Sequence, residues 1–284
     1  MSFSTIKEIK AEFKEVLKKL YPQQEIDSIV SLVCEEVLNY NRIQQVKYAV
    51  AKLDKKYSEQ IQDIFLRLVN QEPIQYILGK TSFYDLELYV NPGVLIPRQE
   101  TELLVDIILR NYPYSDKILD IGTGSGCIAL SLKKNLLEAE VFALDISQNA
   151  LDIAKKNSKA NNLYIDFIHG DILNPELTVN QTFNLIVSNP PYVRNSEQKK
   201  MHGNVLQYEP HTALFVPDED PLIYYKAIAG FCMRNLNRGG VLALEINEAF
   251  GPETKSELEK YTFSKVEIVK DLNNKDRFIF ARSL

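Results

Sequence analysis

From Lys117 onward, short apolar runs with strand character alternate with helical patterns. "KILDIG", "EVFALDIS", "IDFIHGDI", "FNLIVSN" and "GGVLALEIN" are interleaved with "SLKKNL", "NALDIAKKNSKA" and "LIYYKAIAGFCMRNL". Strands joined through helices return in the same direction, so they build a parallel sheet covered on both faces. The rhythm breaks at the end. "FSKVEIVKD" and "RFIFARS" are separated only by Leu272 to Asp276, too few residues for a crossover helix, so they form an antiparallel hairpin. The fold class is therefore α/β, a mostly parallel sheet with an antiparallel final strand, over residues 113–284.

The first 80 residues carry a different period. Phe3, Ile6, Ile9, Phe13, Val16, Leu17 and Leu20 recur at steps of three and four, as do Ile26, Ile29, Val30, Val33 and Val37 beyond Pro22. Two further helical patterns run through "RIQQVKYAVAKL" and, with Ser58 as N-cap, through "EQIQDIFLRLV". Residues 1–80 thus form a small helical bundle, either a structural appendage or a module that recognises a macromolecular substrate. Residues 81–112 connect it to the sheet. A hairpin is expected there, with a strand from Phe83 to Val90, a turn at Asn91-Pro92-Gly93 and a second run from Val94 to Ile96. A helix carrying Leu103, Leu104, Ile107 and Ile108 follows, and Glu100 and Glu102 suit its positive end.

Composition closes off several classes of function. The 284 residues carry a formal net charge of −5, which gives little long-range attraction to a phosphate backbone, so no direct nucleic-acid partner is expected. The charged, amphipathic N-terminus is neither a signal peptide nor a span, and no stretch reaches about eighteen uninterrupted apolar residues. No membrane association and a cytoplasmic location are expected. Cys34, Cys127 and Cys232 are odd in number and lack metal spacing, which fits reduced thiols without disulfide or metal.

Chemistry concentrates at the strand ends. "ILDIGTGSGCIALSL" joins a strand to a helix through Gly122, Gly124 and Gly126, where absent Cβ atoms let a ligand approach and the helix start offers free N–H groups. Asp145 ends the next strand about twenty residues on, where an acid accepts ribose hydroxyls. Loop and acid together point to a nucleoside-bearing cofactor without saying which. Asp171, in "HGDIL", ends the third strand and either meets the far end of such a ligand, with Ile172 as an apolar wall, or makes a local turn. His169 is read as structural.

The segment "SNPPYV" places Asn189, Pro190, Pro191 and Tyr192 directly after an apolar strand. Consecutive prolines end a strand rigidly. The Asn189 carboxamide oxygen and the Pro190 carbonyl can accept both hydrogens of a planar NH₂ group, which the Tyr192 ring would stack against. Such a corner would aim the weak nitrogen lone pair at an electrophile bound over the glycine loop, which is catalysis by orientation.

From Lys117 onward the chain resembles the class I S-adenosylmethionine-dependent methyltransferases, which have a Rossmann-like sheet with an antiparallel final strand. More narrowly, "GVLIPRQETELLV", "ILDIGTGSGCIAL", "IVSNPPYV" and "LQYEPHTALF", in this order after a helical N-terminal domain, resemble the release-factor glutamine N5-methyltransferases. The resemblance implies that Gly122, Thr123, Gly124, Ser125 and Gly126 lie along the methionine and ribose of S-adenosylmethionine. It also implies that Asp145 binds the ribose hydroxyls, that Asp171 and Ile172 border the adenine, and that Asn189, Pro190, Pro191 and Tyr192 hold the substrate glutamine. Arg98, Glu100 and Glu209 match family positions that shape the site. Gln99, Asn247 and Asn274 depart from the family's frequent proline, glycine and glycine, which puts local turn geometry in question.

The resulting expectation is transfer of a methyl group to the glutamine amide nitrogen in the Gly-Gly-Gln loop of a peptide-chain release factor, by a monomer whose helical domain docks that factor. Glutamine methylation of a ribosomal protein uses nearly the same motifs. Methylation of a nucleic-acid base fits less well, and so does a non-catalytic nucleoside-binding module, which would not require the "NPPY" corner.

Overall fold

The structure, a computed structural model, describes residues 3–284. Two compact units are present: the chain up to Gly79 together with His202–Tyr208, and Lys80–Met201 together with Glu209–Leu284.

The first unit holds α1 (Ile6–Leu17), α2 (Gln23–Leu38), α3 (Arg42–Lys47), α4 (Lys55–Val69) and α5 (Ile74–Leu78). Ile6, Ile9, Phe13 and Leu17 line one face of α1 and pack with Ile26, Val30 and Val33 of α2 and Ile61, Phe65 and Leu68 of α4. The Phe13 and Phe65 rings meet with centroids 4.9 Å apart. Thr5 caps α1 by accepting the Glu8 amide at 3.2 Å, one of the orphan donors of a helix start. Leu20 falls beyond the end of α1 and is exposed, so it leaves the expected apolar stripe. Ser58 is not a cap: α4 starts one turn earlier, after Asp54, and Ser58 is buried inside it. Only the first half of "RIQQVKYAVAKL" is helical, and Ile43, Val46 and Val50 are exposed.

The second unit opens with β1 (Lys80–Phe83) and β2 (Leu86–Tyr89), an antiparallel hairpin. Its turn is Tyr84-Asp85, not the expected Asn91-Pro92-Gly93. Both turn residues have positive φ, 43° and 59°, as a two-residue hairpin turn that matches strand twist requires. Asn91-Pro92-Gly93 instead redirects the chain into an extended, non-strand segment that leads to α6 (Gln99–Asn111). Asn91 Oδ1 holds that bend by accepting the Gly93 amide at 2.8 Å. Residues 81–112 are more than a connection, because Leu104, Val105 and Ile108 of α6 are fully buried in the core beneath the sheet.

The sheet and its connections follow as β3 (Lys117–Ile121), α7 (Cys127–Asn135), β4 (Glu140–Asp145), α8 (Gln148–Ala160), β5 (Asp166–His169) and β6 (Phe183–Ser188). Next come β7 (Val193–Arg194), α9 (Gly203–Tyr208, counted with the helical unit), β8 (Phe215–Val216) and α10 (Ile223–Asn235). The chain closes with β9 (Leu236–Glu245), α11 (Gly251–Leu258), β10 (Phe263–Lys270) and β11 (Asp276–Ser283). Seven strands form one sheet in the order β10-β11-β9-β6-β3-β4-β5. β11 runs antiparallel to both of its neighbours, and the other pairings are parallel. Alternate residues face two cores. Ile118, Val141, Ala143, Leu185 and Val187 meet α6 and α7 on one side. Leu119, Ile121, Leu144, Ile186 and Leu242 meet Tyr225, Ile228 and Phe231 of α10 on the other. Burying each of the Val, Leu, Ile and Phe side chains contributes about 1.5–3 kcal/mol. The helix α11 has no counterpart in the sequence reading. Its buried face is only Gly251, Thr254 and Leu258, too sparse to show as a period.

The chain runs from β3 outward through β4 to β5, then returns to the other side of β3 as β6. This reversal is the switch point at which open α/β sheets leave a crevice beyond the carboxyl ends of their strands. The Ser188 hydroxyl donates to the Ile121 carbonyl at 2.7 Å and pins the two central strands together there.

Candidate active site

A cleft of about 920 Å³, including space open to solvent, lies at that switch point. Of the residues singled out in the sequence, Gly122, Gly124, Asp145, Asp171, Ile172, Asn189, Pro190 and Pro191 line it; Thr123, Ser125, Gly126 and Tyr192 do not.

The glycine loop explains this division. Gly122 and Gly124 have φ of 72° and 55°, a conformation costly for a residue with a Cβ, and nothing stands within 4 Å of where their Cβ atoms would be. They present bare backbone to the cleft. Gly126 turns inward, and a Cβ there would lie 3.2 Å from Ala154 and Leu130. The Thr123 hydroxyl points back and donates to Asp120 Oδ2 at 2.7 Å, an oxygen that also accepts the Ala129 amide at 3.2 Å. Asp120 was missed by motif reading, yet it fastens both ends of the loop. Burial pushes its pKa up to about 7 against the pull of those two bonds. Asn157 does the same from another side. Its Nδ2 donates to the Ser125 carbonyl at 2.8 Å and the Tyr89 carbonyl at 3.0 Å, and its Oδ1 accepts the Tyr89 amide at 2.6 Å.

Asp145 sits at the tip of β4 with one carboxylate oxygen on each of two backbone amides, Oδ2 on Gly124 at 2.8 Å and Oδ1 on Ser147 at 2.9 Å. Burial raises its pKa, and these bonds and the nearby His169 oppose the rise. The Ile146 amide also pulls on the carboxylate, and its roughly four lone-pair sites leave room for a further donor. Asp171 lines the cleft, and its Oδ1 accepts the Leu173 amide at 2.8 Å in a local turn. His169 bonds through Nε2 to the Ile146 carbonyl at 2.8 Å and lines nothing.

Arg98 and Glu209 come together. Arg98 Nη2 donates to Glu209 Oε1 at 2.6 Å, and Glu209 Oε2 accepts the Ile96 amide at 3.3 Å. The pair ties the segment carrying Val94 and Leu95 to the one carrying Pro210, Thr212 and Ala213, two walls of the cleft. Glu100 is exposed at the start of α6, outside the lining.

The Asn189 corner rests on a buried acid that motif reading also missed. Glu245, 1% exposed at the end of β9, accepts the Thr101 hydroxyl on Oε2 at 2.8 Å and the Tyr192 hydroxyl on Oε1 at 3.1 Å. Asn189 Nδ2 in turn donates to Thr101 Oγ1 at 3.1 Å. Tyr192 is therefore anchored behind the corner, because its hydroxyl finds a buried acceptor there, and its ring forms no wall of the cleft. Burial, then the Glu245 charge, raises the Tyr192 pKa far above that of free tyrosine. Asn247 braces the same residue by donating to the Tyr192 carbonyl at 3.0 Å, so its departure from glycine gains a contact. Asn274 adopts φ of 60°, the left-handed geometry that asparagine tolerates next best after glycine. Gln99 is the exposed first residue of α6 and perturbs nothing.

Comparison with known proteins matches this architecture. A family model described as Methyltransferase small domain covers residues 97–212, and one described as PrmC N-terminal domain covers residues 8–79. Release factor glutamine methyltransferase of Flavobacterium psychrophilum is 47% identical over 279 residues, spanning 96% of this chain and 98% of that one. The chain belongs to the release factor glutamine methyltransferase family. Its Bacteroides thetaiotaomicron relative of the same name is 41% identical over 96% of this chain and 98% of its own. Among solved structures, a T. thermophilus 16S rRNA N2 methyltransferase in complex with AdoMet and guanosine superposes with a TM-score of 0.53 at 21% identity, over 72% of this chain and 50% of that one. A Pyrococcus furiosus methyltransferase gives 0.52 at 19% identity, over 70% and 90%. These two likenesses establish the class I methyltransferase fold. Among the described residues, no helix is long and apolar enough to cross a membrane.

Proposed function

We propose that this member of the family methylates the side-chain amide nitrogen of a glutamine in a peptide-chain release factor, within its Gly-Gly-Gln loop, using S-adenosylmethionine. The observation that carries the reading is the direction of the hydrogen bonds at Asn189. Thr101 has a single hydroxyl proton, which goes to Glu245, so its oxygen accepts from Asn189 Nδ2. Asn189 Oδ1 is then left as a free acceptor on a residue that lines the cleft.

The cleft fits the cofactor on its own evidence. Gly122 and Gly124 offer backbone without Cβ atoms, the Asp145 carboxylate has room for a ribose hydroxyl, and Asp171 and Ile172 line the same cleft. Bound there, S-adenosylmethionine supplies an electrophilic methyl group on sulfur. The chain's own residues hold the nucleophile. Asn189 Oδ1 and the Pro190 carbonyl accept the two glutamine N–H hydrogens, fix the plane of the amide and turn its nitrogen toward the methyl. On taking the methyl group, the glutamine nitrogen would release one of its protons, ultimately to solvent, while Asn189 Oδ1 and the Pro190 carbonyl keep the amide in place. An amide nitrogen is a weak nucleophile because its lone pair is delocalised into the carbonyl, so alignment and exclusion of water supply most of the acceleration. Pro190 and Pro191 make the corner stiff enough for this task.

We assign recognition of the release factor to the helical unit. A chain beginning near Lys80 should then keep its cofactor affinity and lose kcat/KM on the whole factor. The function itself is tested by incubating the protein with S-adenosylmethionine labelled in the methyl group and purified release factor. Label in the release factor supports the reading. Label only in a ribosomal protein or in nucleic acid, or tight NAD binding with no response to S-adenosylhomocysteine, rejects it.

A further inference from the structure

A threonine hydroxyl beside an asparagine amide has no intrinsic direction. It can donate to the carbonyl oxygen or accept from the NH₂ group. In one orientation Asn189 offers the cleft an acceptor, and in the other it offers an NH₂ group that would face the NH₂ group of the substrate, donor against donor. Something must decide between them. Thr101 is 2% exposed, so water does not. Its proton goes to Glu245 Oε2, and the only remaining option for its oxygen is to accept from Asn189 Nδ2.

Glu245 is an expensive residue to keep at the end of β9. A buried carboxylate is costly unless donors compensate it, and an apolar side chain of similar volume often stabilises a fold equally well or better. The donors here are the hydroxyls of Thr101 and Tyr192. Burial raises the Glu245 pKa; the Thr101 and Tyr192 hydroxyls and the Arg277 charge oppose the rise, and Glu100 adds to it. The carboxylate thus reaches two parts of the Asn189 corner at once, the amide through Thr101 and the tyrosine that follows the prolines.

We propose that Glu245 is a positioning residue for methyl transfer, which acts through Thr101 to fix the side of the Asn189 amide that meets the substrate. The proposal rests on the reading of Asn189 as the acceptor for the glutamine NH₂ group. Glu245 touches neither substrate nor cofactor. Its effect travels along a chain of hydrogen bonds from the carboxylate to the Thr101 hydroxyl, then to the Asn189 NH₂ group and its Oδ1.

The test is single-turnover methyl transfer to intact release factor by the full-length protein, with cofactor and factor saturating, beside a titration with S-adenosylhomocysteine. Glu245→Met keeps length and burial but accepts neither hydroxyl; Thr101→Val removes the relay at constant shape. Each should slow transfer by about tenfold or more, as expected for a misaligned nucleophile, with S-adenosylhomocysteine affinity held within about twofold. Thr101→Ser should recover most of the rate lost in Thr101→Val, and the Thr101→Val and Thr101→Ser pair carries the test if Glu245→Met fails to fold. In an Asn189→Ala background neither change should slow the reaction by more than about a further twofold, since all act through one amide. Losses that multiply in the double variants would show an independent structural role and overturn the proposal. So would transfer within about twofold of wild type in Thr101→Val while Asn189→Ala is slow, an outcome that leaves the role of Asn189 standing. A fast Asn189→Ala single variant would instead remove the reading on which the proposal rests.

Discussion

The two ends of the cleft are built from different materials. At the glycine-loop end the surface is main chain: Gly122 and Gly124 line it, and Asp145 is held by the Gly124 and Ser147 amides. Around Asn189 the surface is a side chain held by other side chains, Thr101 and Glu245, from α6 and β9. A wall of backbone accepts a ligand by shape and has few atoms that a substitution can remove. A side chain oriented by a buried network can be misdirected while its surroundings stay folded. The loop end is suited to binding, and the Asn189 end to alignment.

The largest expected effect lies at the alignment end. Asn189→Ala removes one of the two acceptors from a corner that Pro190 and Pro191 already fix, so transfer at saturating substrates should fall on the order of 10²-fold with folding and cofactor affinity nearly unchanged. A variant that binds cofactor and transfers within about threefold of wild type would erase the contrast. Asp145→Ala should do the opposite, weakening S-adenosylhomocysteine by roughly 1–3 kcal/mol, the worth of hydrogen bonds to a charged group. Calorimetry reads this directly, and an unchanged affinity would take Asp145 out of the site. Gly124→Ala has open space for its methyl group but must hold φ of 55°. It should cost about 1–2 kcal/mol of stability in denaturant unfolding through backbone strain alone.

A pH-linked effect distinguishes the fastening of the loop from its backbone geometry. Burial raises the Asp120 pKa from its ordinary 3.8 to about 7, so the folded state holds a proton that the unfolded chain releases at lower pH. The stability linked to this group is fully present below about pH 4 and is lost as pH rises through about 7. The melting temperature of wild type minus that of Asp120→Asn should therefore fall between about pH 4 and about pH 7, the window those two pKa values span. A flat difference would mean that Asp120 is ionised throughout.

The same contrast decides what could be read from the sequence. The central strands from Lys117 onward announce themselves because each carries a short apolar run, and the glycine loop and Asp145 lie in or near one local motif. The corner was legible only as far as "NPPY". Asn189 and Thr101 are 88 residues apart, and Thr101 and Glu245 are 144 apart, so no window of neighbours contains the network. Glu245 looks like the polar end of a buried strand, and Thr101 like one of several polar residues at a helix start. Tyr192 was placed in the cleft because the motif is contiguous, whereas its hydroxyl turns back to the buried acid. The hairpin turn was misplaced for a related reason: Asn-Pro-Gly is a strong turn signal and Tyr-Asp a weak one, yet strand pairing selected the latter.

The proposed task of the Asn189 corner is to deliver a glutamine amide nitrogen to the methyl group. The most direct measurement is fragmentation mass spectrometry of release factor treated with this protein and cofactor carrying a deuterated methyl, using wild type and Asn189→Ala in parallel. The expected result is one deuterated methyl on the side-chain nitrogen of the loop glutamine with wild type, and almost none in the same time with the variant. A methyl group on any other atom, or equal labelling by the two proteins, would contradict it.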